Sequence, residues 1–245
     1  MDARRPVDGG TDAGAYDPAR IRALFDSMAA TYERVNVATS FGFSRRWRRQ
    51  AVDRLAPEPG SVVLDAMTGM GEGWPLLGPH IGRIIAVDLS PGMLRGAAAR
   101  RDRLPSVDID IRLADVSATG LADGTVDHVL SLFGLKTLSI EQERAFATEV
   151  CRVLRPGGRF SLIEVSVPRH RLLRVPYLFY LVHVIPSLGR LLLGNPENYR
   201  MLGVYTTAYG DARRSLPAFR DAGLEVQIVE SFFGCATGLV GRKPG

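Results

Sequence analysis

The sequence predicts an α/β fold: a doubly wound, mostly parallel sheet, preceded by N-terminal helices and carrying an apolar helical lid. Three observations predict it. From residue 62 onward, short apolar runs alternate with helix-like segments. The first run closes on an aspartate and a Gly-x-Gly loop, "VVLDAMTGMGEGW". After Val167 the alternation gives way to one long apolar stretch before two further strand-like runs. At 245 residues the chain suits one large domain better than two small ones. The expected division is a tail over 1–19 and a single domain over 20–245, with the lid at 172–206.

Element by element, "MDARRPVDGGTDAGAYDP" is polar and Gly-rich, lacks the apolar core of an export signal, and reads as a loose tail. A helix is expected from Ile21 to about Asn36, where Leu24, Met28 and Tyr32 recur every fourth residue. A second contains "SRRWRRQ", Ser44 to Gln50. Trp47, Ala51 and Leu55 share one face there, and Arg45, Arg46, Arg48 and Arg49 fall largely on the others, as a solvated face. "APEPG" ends it. Strands follow at Val62–Ala66, Ile84–Asp88, Ile109–Leu113, Val126–Phe133 and Arg159–Val165. Helices are expected at Met93–Arg103 and at Glu141–Leu154, where Phe146, Val150 and Leu154 form one stripe. The last strands are Leu224–Ser231 and Phe233–Val240.

The stretch from Arg171 to Gly194 is apolar enough to suggest a membrane span. Arg174, His183 and Arg190 lie inside it, with Pro176, Pro186 and Gly189. A charge at a helix centre costs about 2.5–3.5 kcal/mol on insertion scales, so a span is not expected. An amphipathic insertion that covers a site or touches an apolar substrate fits better.

Composition narrows the partners. The 46% hydrophobic and 23% charged residues are those of an ordinary soluble domain. Cys151 and Cys235 make no disulfide framework and no metal pair, so a reducing cytoplasm is the expected setting. The net charge is +5, but all basic residues except Lys136 and Lys243 are arginine and acids are numerous. Nucleic acid is therefore not expected as a partner. A small hydrophobic substrate is expected, and a peripheral membrane contact and a homodimer are both compatible with the sequence.

The glycines of the first loop, Gly69 and Gly71, let the backbone turn tightly and approach a ligand. Asp88 ends the second strand, where a ribose would bind, and Asp115 follows the third, near an adenine. A dinucleotide loop needs a third glycine where this chain has Trp74. Strand-end acids without a phosphate-binding lysine suit S-adenosyl-L-methionine, whose ammonium and ribose want carboxylates.

Several blocks together resemble the ubiquinone/menaquinone C-methyltransferases, class I S-adenosylmethionine-dependent enzymes. They are "FDSMAATYERVNVATSFGFSRRWRR", "VDLSPGML", "LFGLKTL", "RVLRPGGRFSLIEVS", "HVIPSLGRLL" and "NYRML". The likeness runs from about Phe25 to the C-terminus. It implies a cofactor set of Tyr32, Asp65, Gly69, Met70, Gly71, Asp88, Leu89, Asp115, Val116 and Leu132. The chain departs from the family loop, roughly Asp-x-x-Gly-Gly-Thr-Gly-Asp, at Thr68 and Met70. Glu72 stands for the last aspartate, and Leu132 for a serine. Where the family has Arg-Asn after Phe-Gly-Leu, this chain has Lys136-Thr137, and lysine does not reproduce the planar arginine fork.

Methyl transfer asks the protein to align the acceptor and exclude water. A carbon acceptor also needs a base, and His183 is the first candidate, since histidine titrates near neutral pH. Lys136 could stabilise a developing oxyanion. Tyr199 and Tyr205 are candidates for orienting the acceptor. His128 reads as structural, and His80 and His170 as loop residues. No histidine or cysteine cluster has metal-ligand spacing. The expected activity is S-adenosylmethionine-dependent methylation of a small apolar acceptor, C-methylation of a quinol-like or secondary-metabolite carbon above all. The altered loop keeps open a cyclase or rearrangement enzyme that binds the same cofactor. A membrane-surface protein using Arg45–Arg49 is the non-enzymatic alternative.

Overall fold

The computed structural model describes residues 13–32, 40–187 and 196–245. Seven strands form one sheet: β1 Val62–Ala66, β2 Arg83–Asp88, β3 Ile109–Leu113, β4 Val126–Leu132, β5 Leu154–Val165, β6 Glu225–Ser231 and β7 Ala236–Arg242. Their spatial order is β3-β2-β1-β4-β5-β7-β6, and β7 alone runs antiparallel to its neighbours. The central strands read as nearly continuous apolar runs because helices cover both faces. Side chains alternate accordingly. Val63, Ile84, Leu130 and Ile163 face one core, and Leu64, Ile85, Val129 and Leu162 face the other.

The helices are α1 Pro18–Met28, α2 Phe43–Leu55, α3 Trp74–Leu77, α4 Pro91–Arg101, α5 Ile140–Val153, α6 Arg171–Phe179, α7 Pro196–Tyr209 and α8 Leu216–Asp221. Local chemistry sets their ends. Ser139 and Gln142 form a reciprocal capping box at α5, and the Ser90 hydroxyl accepts from Met93 N at α4. A one-turn π-helical segment, Tyr180–Val184, continues α6.

The strand positions agree with the sequence reading to within a few residues, and one boundary differs. Strand β5 begins at Leu154, because the "RPGG" segment stays extended instead of looping away. Residues 114–125, between β3 and β4, form turns and no helix. Helix α2 covers one face of the sheet. Its Trp47, Ala51 and Leu55 are buried as its periodicity required, packed on Val63, Leu130 and Ile163. Helix α1 stops at Met28, and residues 33–36 of the longer helix expected there lie outside the described residues. Among the described residues, no helix is long and apolar enough to cross a membrane.

Candidate functional site

The strand order reverses between β1 and β4, and in a doubly wound sheet that point leaves a crevice at the strand ends. Two residues there hold left-handed backbone. Met67, just past β1, has φ 57°, and Phe133, just past β4, has φ 72°. Left-handed backbone in a residue with a Cβ costs on the order of 1–3 kcal/mol. Gly134 makes the arrangement sterically feasible, since a Cβ there would lie 2.5 Å from Met67 Sδ.

Two cavities open from this crevice. The first is acidic. Gly69, Glu72, Asp88, Leu89, Asp115, Val116 and Leu132 line it, with Tyr32 and residues of α1 on the far side. Asp88 is held by backbone amides: Oδ2 accepts from Gly69 N at 2.8 Å and Oδ1 from Ser90 N at 2.9 Å. Burial pushes its pKa up to about 6, against those hydrogen bonds and helped by the negative charge of Glu72. Asp115 Oδ1 accepts from Ser117 N and Oγ. This donor set has carboxylates and backbone but no phosphate cradle. It suits a ligand with hydroxyls and a positive charge. The cavity measures about 80 Å³ and is roofed by α1. The roof is pinned by Asp26, whose Oδ1 accepts from Ser90 Oγ at 2.6 Å and from Gly92 N at 2.7 Å.

Asp65 occupies the equivalent strand end on β1, but it does not line either cavity. It is 2% exposed, and its Oδ2 accepts from Thr68 Oγ1 and from Trp74 Nε1. Burial raises its pKa to about 7 despite those bonds. Gly71 lets the indole lie there, because a Cβ would come 2.6 Å from the Trp74 ring. Neither Met70 nor Gly71 lines the cavity. Met70 turns outward onto α4, where Gly96 makes room for it: a Cβ at Gly96 would sit 2.2 Å from Met70 Cε. The methionine in the loop therefore does not fill the ligand space.

The second cavity, about 280 Å³, is walled by aromatic and aliphatic side chains from α2, α6, the π-helical segment and α7. Trp47, Phe133, Tyr177, Tyr180 and Leu181 supply much of its surface. Among the described residues its walls contain no Asp or Glu, and the cations that reach it are Lys136 and Arg48. Lys136 is 5% exposed. Its Nζ donates to Glu164 Oε1 at 2.8 Å and to Phe133 O at 2.7 Å, while its backbone N donates to Glu164 Oε2. Two of the three ammonium hydrogens are thus used. The two cavities share Tyr32, Arg48 and Phe133 as walls.

Arg48 corrects the sequence reading. Arg45, Arg46 and Arg49 are exposed as expected, but Arg48 is 7% exposed and lies 5.0 Å over the Phe133 ring. Its nearest charge is Glu72 Oε1 at 3.7 Å, too far for a hydrogen bond, and that oxygen is itself buried without a partner. Residue 48 is only one position from Trp47, and the sheet and the strand-end loops enclose both flanks of α2.

The expected acceptor residues divide. Lys136 reaches the cavity. His183 is exposed, stacks on Phe179 with centroids 5.1 Å apart, and lines neither cavity, because Leu181 and Ile185 take the inward positions around it. Tyr205 is buried behind the wall and donates to Ala15 O at 2.7 Å, which ties α7 to the N-terminal turn. Tyr199 belongs to α7, and its side chain lies outside the described residues. His128 bonds Glu58 at 2.9 Å, a structural pairing far from the crevice loops. Among the described residues, no cluster could hold a metal ion.

Comparison with known proteins gives this geometry a context. The model of the ubiE/COQ5 methyltransferase family matches residues 14–243. The demethylmenaquinone methyltransferase of Renibacterium salmoninarum is 33% identical over 206 residues, covering 84% of each chain. Among solved structures, a SAM-dependent methyltransferase from Aquifex aeolicus superposes with a TM-score of 0.56 at 21% identity, covering 79% of this chain and 88% of that one. The [4+2]-cyclase SpnF superposes with a TM-score of 0.58 at 18% identity, covering 81% and 80%. Those two likenesses show a shared fold.

Proposed function

The chain belongs to the ubiE/COQ5 methyltransferase family, and from that premise we propose that it C-methylates a small apolar, quinol-like or related aromatic acceptor. The observation that carries the proposal is the pair of adjoining cavities, one acidic and one aromatic, joined through Tyr32, Arg48 and Phe133.

Asp88, Asp115 and the Gly69 backbone would hold S-adenosylmethionine, whose sulfonium supplies an electrophilic methyl group when bound. The acidic cavity is smaller than the several hundred Å³ usual for a ligand of that size. Entry would therefore need a wall of the cavity to give, and the α1 roof, held by the Asp26 hydrogen bonds, is the wall that closes it from solvent. Once closed, it excludes water from the crevice. The aromatic walls orient a flat acceptor edge-on to the shared wall. The free hydrogen of Lys136 Nζ and the guanidinium of Arg48 face an acceptor oxygen, lower its pKa, and stabilise the charge that develops on it. The acceptor would give its hydroxyl proton to solvent on entry, the two cations would hold the resulting oxyanion, and the ring carbon would lose its proton to water after the methyl has transferred, since no histidine among the described residues lines the wall.

The test has two stages. Calorimetry with S-adenosylmethionine should give a micromolar-range affinity that Asp88→Ala removes. Purified enzyme with the cofactor and a reduced naphthoquinone should then release S-adenosylhomocysteine, with Arg48→Met raising KM for the quinol. No binding by folded protein would overturn the methyltransferase reading. Tight binding without turnover of any quinol or phenol would favour the cyclase alternative.

A further inference from the structure

Helix α6 is apolar on two sides. Leu173 and Tyr177 turn inward, Tyr177 donating its hydroxyl to Cys235 O, and Tyr177, Tyr180 and Leu181 line the aromatic cavity. On the outer side, Leu172, Val175 and Phe179 are 82, 71 and 61% exposed. At about 100° per residue these three fall within an arc of about 60°, so they form one stripe. Val182 is also exposed, one turn further along the π-helical segment. A helix resting on a soluble domain would normally turn polar residues outward.

A second exposed group rims the same cavity. Phe41 and Phe232 line it and are themselves exposed, and Phe41 packs against Tyr180 with centroids 6.0 Å apart. Phe232 and Phe233 both hold left-handed backbone, with φ 47° and 55°, and that geometry leaves the Phe233 ring 78% exposed. Two strained aromatic residues in a row that present a ring to solvent indicate a surface used for something other than packing.

Charge selects the partner. Residues 169–187 contain Arg169, Arg171 and Arg174, all exposed, and no Asp or Glu. None of the three forms an ion pair among the described residues. A second copy on a two-fold axis would set this arginine-bearing face against itself with no carboxylate to answer it. A phosphate-rich apolar boundary answers both the stripe and the charge.

We propose that the outer face of α6, with the Phe41 and Phe232–Phe233 rim, docks on an anionic phospholipid bilayer in the manner of an interfacial amphipathic helix. The cavity lies directly behind the docked helix. An apolar acceptor then enters from the lipid without crossing water, a consequence that rests on the function proposed above, whereas the docking itself does not.

The full chain should co-sediment with vesicles of phosphatidylcholine containing about one third phosphatidylglycerol, and at least about ten-fold more weakly with phosphatidylcholine alone. Salt at about 0.5 M, where screening reaches only a few ångströms, should weaken the binding. Leu172→Ser with Phe179→Ser, and separately Arg171→Gln with Arg174→Gln, should each reduce vesicle binding about ten-fold. Both are surface changes, so cofactor affinity by calorimetry should stay at the unsubstituted value and report intact folding. No binding to anionic vesicles, or binding that both double variants retain, would overturn the proposal. So would a dimer in light scattering that the Leu172→Ser, Phe179→Ser pair dissociates. Loss of cofactor binding in the unsubstituted chain would instead remove the methyltransferase reading and leave the docking result standing.

Discussion

Asp65 and Asp88 stand at the ends of adjacent strands, and both carboxyls are pushed up by burial, to about 7 and about 6. Their surroundings differ. Asp65 is capped by the Thr68 hydroxyl and the Trp74 indole, both from its own chain segment. Asp88 is held from behind by two backbone amides and keeps a face on the acidic cavity. A hydroxyl at position 68, where the family pattern has glycine, converts a ligand-side acid into an internal one. Asp88 and Asp115 are the strand-end acids that line the acidic cavity. At Asp65 the residue three positions on covers the carboxyl, and at Asp88 no side chain does.

The largest expected effect breaks the pair outright. Asp88→Ala should weaken cofactor affinity about 100-fold, the loss of charge-assisted hydrogen bonds, whereas Asp65→Asn should leave it within about three-fold. Calorimetry on both variants decides this, and equal losses would mean that the Asp65 cap opens on binding.

Titration separates the two next. Asp65 keeps its proton in the folded state up to about pH 7, well above the unfolded value of 3.8, so its stabilising share is lost as pH rises through that window. In Asp65→Asn, thermal stability should fall less steeply between about pH 4 and 7, leaving the shares of Asp88, which ends near 6, and of buried Glu143, which ends near 7. Cofactor affinity should behave in the opposite sense: it needs Asp88 ionised, so it should fall as pH drops below about 6 in both proteins.

A smaller effect comes from uncovering the sealed acid. Thr68→Gly should make cofactor affinity sensitive to Asp65→Asn, with a coupling of about 0.5–1.5 kcal/mol in a double-mutant cycle. The smallest concerns the loop's outer anchor. Gly96→Ala should press Met70 back toward the loop and lower affinity about two- to five-fold, because only the end of a flexible side chain must yield. Met70→Thr in the same background should restore it.

Much of this was legible in the sequence, and the omissions have physical causes. The strands were readable because buried parallel strands are apolar runs between turn residues, and Asp88 and Asp115 followed from the rule that ligands meet strand ends. Arg48 was not readable. Helical periodicity put it off the Trp47 stripe, and its neighbours Glu72 and Phe133 lie 24 and 85 positions away. Glu164 was missed for the same reason, since its bond to Lys136 spans 28 residues. The sealing of Asp65 was nearer to hand, because a threonine three residues past an aspartate can reach back to it. His183 shows the converse error. Its residue type suited general-base chemistry, but nothing local specified which side of the helix faced the cavity.

Tyr32, Arg48 and Phe133 each touch both cavities, so an occupant of one packs on a wall that an occupant of the other also meets. Linkage then imposes a reciprocity: whatever factor the cofactor contributes to acceptor affinity, the acceptor returns to the cofactor. The Arg48 guanidinium already lies on the Phe133 ring, so both partners would meet the same preformed wall from opposite sides. The enzyme should therefore show a measurable coupling between two unlike ligands within a single chain, equal in size from either side.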